Sequence, residues 1–215
     1  MAELITGLQP DRVRANLDDV RDEIERAGAR AADVQVLAAV KYVAVDELGA
    51  LADAGIEVVG ENRAQDLEVK AAAHPGFTWD FIGHLQSRKV AAVVPLVRWI
   101  HSVASDSVLR RLGQHATPQT EVLVEVNIAG EPGKDGIAPD ELGAFIERCP
   151  VTVVGLMTMP PLTERAEDSR RWFAALAQLA GDHGLRELSM GTTQDFAVAA
   201  AEGATIVRIG TRLYT

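Results

Sequence analysis

Eight short, nearly continuous apolar runs, separated by stretches with helical signals, constrain this chain more than any other feature. They fall at residues 34–40, 56–60, 79–82, 98–103, 121–127, 151–157, 187–190 and 205–209. Strands that are apolar along their whole length are buried on both faces, which requires a parallel sheet covered by helices. The intervening helices are predicted at 45–54, from after Arg63 to about 73, and at 85–93, 106–115, 139–149, 164–183 and 194–202. Gly55 and Gly203 serve as stops, Pro139 suits a first turn and Pro150 forces an end. Ahead of the first strand, Val13, Leu17, Val20, Ile24 and Ala27 repeat at intervals of four and three, which predicts an amphipathic helix over 11–27. Eight such units point to an α/β fold with a single closed (β/α)8 TIM barrel spanning residues 1–215. No helix follows the last strand in this reading, so the N-terminal helix closes the outer ring. An open doubly wound sheet is the alternative.

The rest of the sequence narrows the class of protein. With 47% hydrophobic and 24% charged residues among 215, the chain has the composition of a globular domain with one sizeable core. A net charge of -10 without a Lys/Arg cluster or an aromatic-basic stripe argues against a nucleic-acid partner. Cys149 is the only cysteine, and the histidines at 74, 84, 101, 115 and 183 lack ligand spacing, so no metal site is expected. Residues 1–11 do not form a signal peptide, and the longest apolar stretch, 90–97, is far too short to span a bilayer. A cytoplasmic location without membrane contact is the expectation.

In a barrel of this kind the chemistry sits at the C-terminal ends of the strands, and phosphate often binds after strands seven and eight. There the chain carries Gly191-Thr192-Thr193 and Gly210-Thr211, each a glycine beside a hydroxyl. Turn amides and small residues let an anion approach the backbone. Paired, with Arg208 just before the second turn, they favour a phosphate site over two ordinary tight loops. The first strand runs straight into Lys41. An amine at the mouth of an apolar strand is partly desolvated, which favours its neutral, nucleophilic form and a Schiff base with an aldehyde. A lysine snorkelling into solvent is the competing reading. Other strand ends supply Asn62, His84, Ser102, Asn127 and Met157. Asn62 either orients a ring hydroxyl or caps the helix it precedes, and His84 either donates to a ligand or is satisfied within its loop. Glu61 with Arg63, and Glu131 with Lys134, read as loop ion pairs.

Several of these segments resemble one family in order: LAAVKYV at 37–43, GENRAQDL at 60–67, FIGHLQSRK at 81–89 and IHSVAS at 100–105. VLVEVNIAGEPGKDGI at 122–137, GLMTMPP at 155–161, LSMGTTQDF at 188–196 and EGATIVRIGT at 202–211 continue the match. Together they resemble the pyridoxal phosphate homeostasis proteins, which are similar to the N-terminal, fold type III barrel of alanine racemase. The resemblance implies that Lys41 carries pyridoxal 5′-phosphate (PLP) covalently as a Schiff base. Ser189, Gly191, Thr192, Gly210 and Thr211 would hold its phosphate, Arg208 would face the pyridine nitrogen and Asn62 would lie near the ring. It departs from the family pattern where Val40 and Tyr42 flank Lys41 in place of Ser and Thr, and in the ending Arg212-Leu213-Tyr214-Thr215.

The function so implied is that of a non-catalytic carrier or buffer in intracellular PLP homeostasis, with PLP-dependent apo-enzymes as recipients. The alternative is a PLP-dependent amino-acid racemase, which needs acid–base groups on both faces of the substrate. Tyr42 and Tyr214 are the only tyrosines, and neither has an obvious claim to that role. On physics alone, Lys41 and the phosphate turns suit a PLP-free Schiff-base aldolase acting on a sugar phosphate equally well.

Overall fold

The computed structural model describes residues 4–215, in which the apolar runs form eight parallel strands of one closed barrel. These are β1 (Gln35–Ala39), β2 (Val58–Glu61), β3 (Thr78–Phe81), β4 (Trp99–Val103), β5 (Glu121–Glu125), β6 (Thr152–Met157), β7 (Glu187–Thr192) and β8 (Ile206–Ile209). Each pairs with its neighbour in sequence, and β8 returns to β1 with Gln35 opposite Ile206 and Ala38 opposite Ile209. Closure leaves no unpaired edge, and it excludes the open sheet.

The helices are α1 (Pro10–Arg26), α2 (Leu48–Asp53), α3 (Ala64–Ala73), α4 (Val90–Val93), α5 (Asp106–His115), α6 (Leu142–Arg148), α7 (Arg170–Asp182), α8 (Phe196–Ala201) and α9 (Thr211–Tyr214). Four predicted helices begin with a 3-10 turn instead, at Val45–Glu47, Ser87–Lys89, Pro139–Glu141 and Ala166–Ser169. Among the described residues, no helix is long and apolar enough to cross a membrane.

Alternation along the strands divides the buried residues into two sets. Residues such as Val59, Phe81, Ile100, Val122, Leu188 and Val207 face outward and pack with Leu17, Leu51, Leu67, Leu112, Phe145 and Phe173 of the helices. The inside of the barrel holds a small apolar cluster of Leu37, Val58 and Ile206, bordered by Ile82 and Trp99. Buried beside it are polar side chains, Asp80, His101, Ser189 and Arg208. The interior is thus apolar in one sector and hydrogen-bonded in the other.

α1 buries Val13, Leu17, Val20 and Ile24 and packs against α2, α8 and α9, so the N-terminal helix does close the ring. The expectation of no final helix needs correction. Thr211–Tyr214 makes one turn, too short to show a helical period. That turn is held by tertiary contacts. Leu213 is fully buried, Asn16 Nδ2 donates to the carbonyls of Leu213 and Thr215 at 3.1 and 3.0 Å, and Arg212 pairs with Glu23 of α1.

β7 also runs further than the sequence suggests, through Gly191 to Thr192, where Thr192 pairs with Arg208 after a register shift. Gly191 sits at φ +87°, and a Cβ there would lie 2.5 Å from the Ala199 methyl and 2.9 Å from Phe196 Cα. Only glycine allows α8 to start this close to the strand end.

Truncating Leu213 to alanine empties a filled site between α9 and the barrel. The expected cost is about 2–5 kcal/mol, read as a lowered urea midpoint with an unchanged m-value.

Candidate functional site

The C-terminal ends of the strands surround a cavity of about 450 Å³. Of the predicted residues, Lys41, Asn62, His84, Thr192, Arg208, Gly210 and Thr211 line it. A larger hollow of about 790 Å³, between Arg21, Glu57, Arg98 and Trp99, lies at the other end of the barrel and contains none of them.

Lys41 and Asn62 are set by one buried ion pair. Lys70 of α3 donates to Glu61 Oε2 and to the Val40 carbonyl, both at 2.6 Å. Glu61 Oε1 accepts from the backbone N–H groups of Asn62 (2.7 Å) and Arg63 (3.3 Å). The residue preceding Lys41 and the backbone of Asn62 are therefore tied to the same two side chains. The expected Glu61–Arg63 loop pair is corrected accordingly: the Arg63 guanidinium turns to Asp66. The Lys41 ammonium stands 4.7 Å from the Tyr42 ring centroid, so this tyrosine offers the amine a π-face.

Asn62 makes no cap to α3. Its Oδ1 is the one buried side-chain polar atom among the described residues without a hydrogen-bond partner. Such an atom costs stability unless something else satisfies it. The strand end opposite must be Gly83, because a Cβ there would fall 2.1 Å from the Asn62 carbonyl oxygen.

His84 stands at the mouth, its side chain 61% exposed and Nδ1 2.9 Å from Asp135 Oδ2. Asp135 belongs to the Gly/Pro loop after β5. Asn127 braces that loop through paired bonds with the Glu131 backbone (2.8 and 3.0 Å), and the expected Glu131–Lys134 pair forms at 2.6 Å.

The two glycine-bearing turns meet through Thr193, whose Oγ1 accepts from the Gly210 N–H at 3.3 Å. Thr193 lines the cavity and the sequence reading passed over it for its neighbour. The Thr192 N–H and hydroxyl both donate to Asp195 Oδ1 (2.8 and 3.2 Å), so its donors point at a carboxylate. Ser189 and Gly191 require correction as cavity residues. Ser189 lies below the cavity floor, fully buried, its Oγ bonded to His101 and Arg208. Gly191 spaces the strand from α8 and does not reach the cavity. Both misplacements have one origin: residues near a strand end alternate between interior, rim and helix side, and a bulge changes that phase.

Burial sets the charges around the cavity. Arg208 is pushed down to about 10 by desolvation, opposed by Glu125 and Asp195, and stays cationic near neutral pH. Desolvation raises Glu125 above the usual carboxylate range, and Asp135 adds to the effect. Tyr214, whose Oη donates to the Ala39 carbonyl at 3.1 Å, is pushed up by burial and stays protonated. Asp80 is lowered: burial opposes its charge, but hydrogen bonds and charges from His101 and Arg98 overcome that. His101 is lowered, by burial first, so its ring is held neutral.

The closed barrel of eight parallel strands with helices between them is a (β/α)8 TIM barrel of the fold type III kind. At 13% identity that fold is shared with the lysine/ornithine decarboxylase of Vibrio vulnificus (TM-score 0.73, 99% of this chain, 64% of the enzyme). Much nearer stands a structure of PipY from Synechococcus elongatus with PLP bound, 30% identical with a TM-score of 0.80 over 94% of this chain and all of that one. The pyridoxal phosphate homeostasis protein of Aquifex aeolicus is 37% identical over 220 residues, 95% of this chain and 96% of its own. No family model matches. The chain belongs to the pyridoxal phosphate homeostasis protein family.

His101 gives the ligand-free protein a pH dependence. Its folded pKa lies below the unfolded value of 6.5, so below that pH the unfolded chain binds a proton that the folded chain refuses. Stability therefore falls as pH drops from about 6.5 towards about 5. Glu125 acts in the opposite sense, because its raised pKa makes the folded state the better proton acceptor. In chemical denaturation at several pH values, His101→Phe should lose the destabilising slope while keeping the Glu125 contribution.

Proposed function

We propose that this protein holds PLP at the C-terminal rim, linked to Lys41 as a Schiff base, and serves as a non-catalytic carrier or buffer that hands it to PLP-dependent apo-enzymes. The observation that carries this reading is the convergence of the Lys41 amine, the Asn62 side chain and two hydroxyl-bearing turns on one cavity. Its volume of about 450 Å³ is in the range of small-molecule sites. Support comes also from the relatives' name and from PipY with PLP bound.

When bound, PLP supplies an aldehyde that condenses with amines and a ring that withdraws electrons from the carbon so attached. Asn62, which lines the cavity, would lie near the ring. Thr193, Gly210 and Thr211 hold the phosphate, with Thr192 joining if its donors leave Asp195. Arg208 would face the ring nitrogen, and its charge would disfavour a proton there, weakening the ring as an electron sink.

That electrostatic arrangement favours holding over catalysis. So does the environment of the tyrosines. The Tyr214 hydroxyl is committed to the Ala39 carbonyl and raised by burial, and Tyr42 lies beneath the Lys41 amine. Neither is poised to shuttle a proton to a substrate carbon. Against the aldolase reading stand the relatives' name and PipY with PLP bound.

Protein loaded with PLP should be yellow, bleach on borohydride reduction, and yield a pyridoxyl mass on the peptide containing Lys41. Lys41→Ala should abolish that adduct and leave the melting temperature of ligand-free protein unchanged, because the side chain points away from the core. Loss of the adduct from wild type would end the proposal. Amino-acid racemisation by the loaded protein well above that of free PLP would replace it with the racemase.

A further inference from the structure

Below the cavity floor, polar side chains run across the barrel without a break. Arg98, just before β4, donates through Nε and Nη2 to the two carboxylate oxygens of Asp80, at 3.0 and 2.5 Å. Asp80 Oδ2 lies 3.2 Å from His101 Nε2, and His101 Nδ1 lies 2.8 Å from Ser189 Oγ. The same hydroxyl oxygen accepts from Arg208 Nη1 at 2.5 Å. Asp80, His101 and Ser189 are fully buried, so water does not enter the accounting.

The roles of these groups follow from what each can donate. A guanidinium has donors only, so Ser189 Oγ must accept from Arg208. The single hydroxyl proton then has one place to go among the described residues, His101 Nδ1, which must be bare. The ring proton therefore sits on Nε2 and is donated to Asp80, a carboxylate kept ionised by Arg98. This assignment satisfies the Ser189 hydroxyl, both His101 ring nitrogens and the Asp80 carboxylate, and no other does. Ser189 in turn takes two of the bonds that orient Arg208, one through Oγ and one through its carbonyl (2.7 Å). The remaining bonds run from Nη2 to the Thr158 carbonyl and to Met159 Sδ, both at 2.9 Å.

We propose that His101, locked by Asp80 as its Nε2-protonated tautomer, is a positioning residue that sets Arg208 against the bound ring by way of the Ser189 hydroxyl. The proposal rests on the reading that Arg208 meets the PLP ring. It explains why the barrel interior carries a buried acid and imidazole that do not line the cavity, and it gives Ser189 a task after its exclusion from the cavity.

Asp80→Asn is the discriminating change, since it keeps size and shape. Asp80 Oδ1 accepts from both Arg98 Nε and the Trp99 N–H (3.2 Å), so the amide oxygen stays there and its NH2 faces His101, with loss of the bond from Arg98 Nη2. His101 must then carry its proton on Nδ1 and donate to Ser189, whose own proton is left without an acceptor and disturbs Arg208. Long-range 1H–15N spectra of ligand-free protein should show the Nε2-protonated ring in wild type and the Nδ1-protonated ring in the variant. In PLP-loaded protein the variant should shift the absorbance maximum of the bound cofactor and weaken PLP about tenfold, the worth of one misdirected hydrogen bond. Ser189→Ala leaves the Arg98–Asp80 pair intact and should weaken PLP similarly, which keeps the test sharp if Asp80→Asn folds poorly.

A wild-type ring protonated on Nδ1, or on both nitrogens at neutral pH, overturns the proposal. So does a tautomer switch, or loss of the Ser189 hydroxyl, that leaves affinity and absorbance unchanged. Wild-type protein that takes up no PLP overturns the reading of the site together with this one. That result is told apart from the others because the ligand-free tautomer spectrum would still stand.

Discussion

Pairing of the first strand with the last is the constraint on which the remaining structure depends. Register between β1 and β8 places Ala38 opposite Ile209, so the chain beyond each strand emerges at the same point of the rim. Lys41 therefore faces Gly210 and Thr211 across a cavity, although some 170 residues separate them along the chain. Every other element serves that closure. α1 lies against both α2 and the terminal turn α9, covering the seam from outside. Tyr214 reaches from α9 to the Ala39 carbonyl, pinning the seam from within. A parallel barrel has no local hairpins to set its register, so the seam must be specified by such long-range contacts.

Two sets of buried charges then convert a packed barrel into a site. Glu61 and Lys70 lie between β2 and α3, and Asp80 and Arg98 lie near the other end of the interior. Burying a charge is costly unless its partner and its hydrogen bonds are all in place. Here they are: Glu61 accepts from an ammonium and two backbone amides, and Asp80 accepts from Arg98, His101 and the Trp99 amide. Pairs so fully satisfied have one low-energy arrangement, and they transmit it to Lys41, Asn62 and Arg208. Asn62 is the exception: the residue lines the cavity, and its Oδ1 is buried without a partner.

The fold was legible because its signal is local. Apolar runs such as 34–40 and 121–127 are buried on both faces and need no partner to be recognised. The amphipathic stripe of Val13, Leu17, Val20 and Ile24 is equally local. A single turn at Thr211–Tyr214 has no period to detect, and contacts with α1 create it. At the site, Lys41 and the turn at Gly210-Thr211 were legible as strand ends with special chemistry. Thr193 was missed because two adjacent threonines look alike until the bulge in β7 turns one to Asp195 and the other to the cavity.

Taken alone, the sequence determined the number and order of strands, the parallel barrel and several of the residues that line the cavity at its rim, because burial period and turn chemistry are properties of short segments. Tertiary structure alone decided the partners: that Lys70 rather than Arg63 meets Glu61, that His101 meets Ser189, and that Ser189 supports Arg208 from below. The reason is geometric. A hydrogen bond depends on angstrom-scale distances between groups 9 to 88 residues apart, and those distances exist only after the sheet has closed.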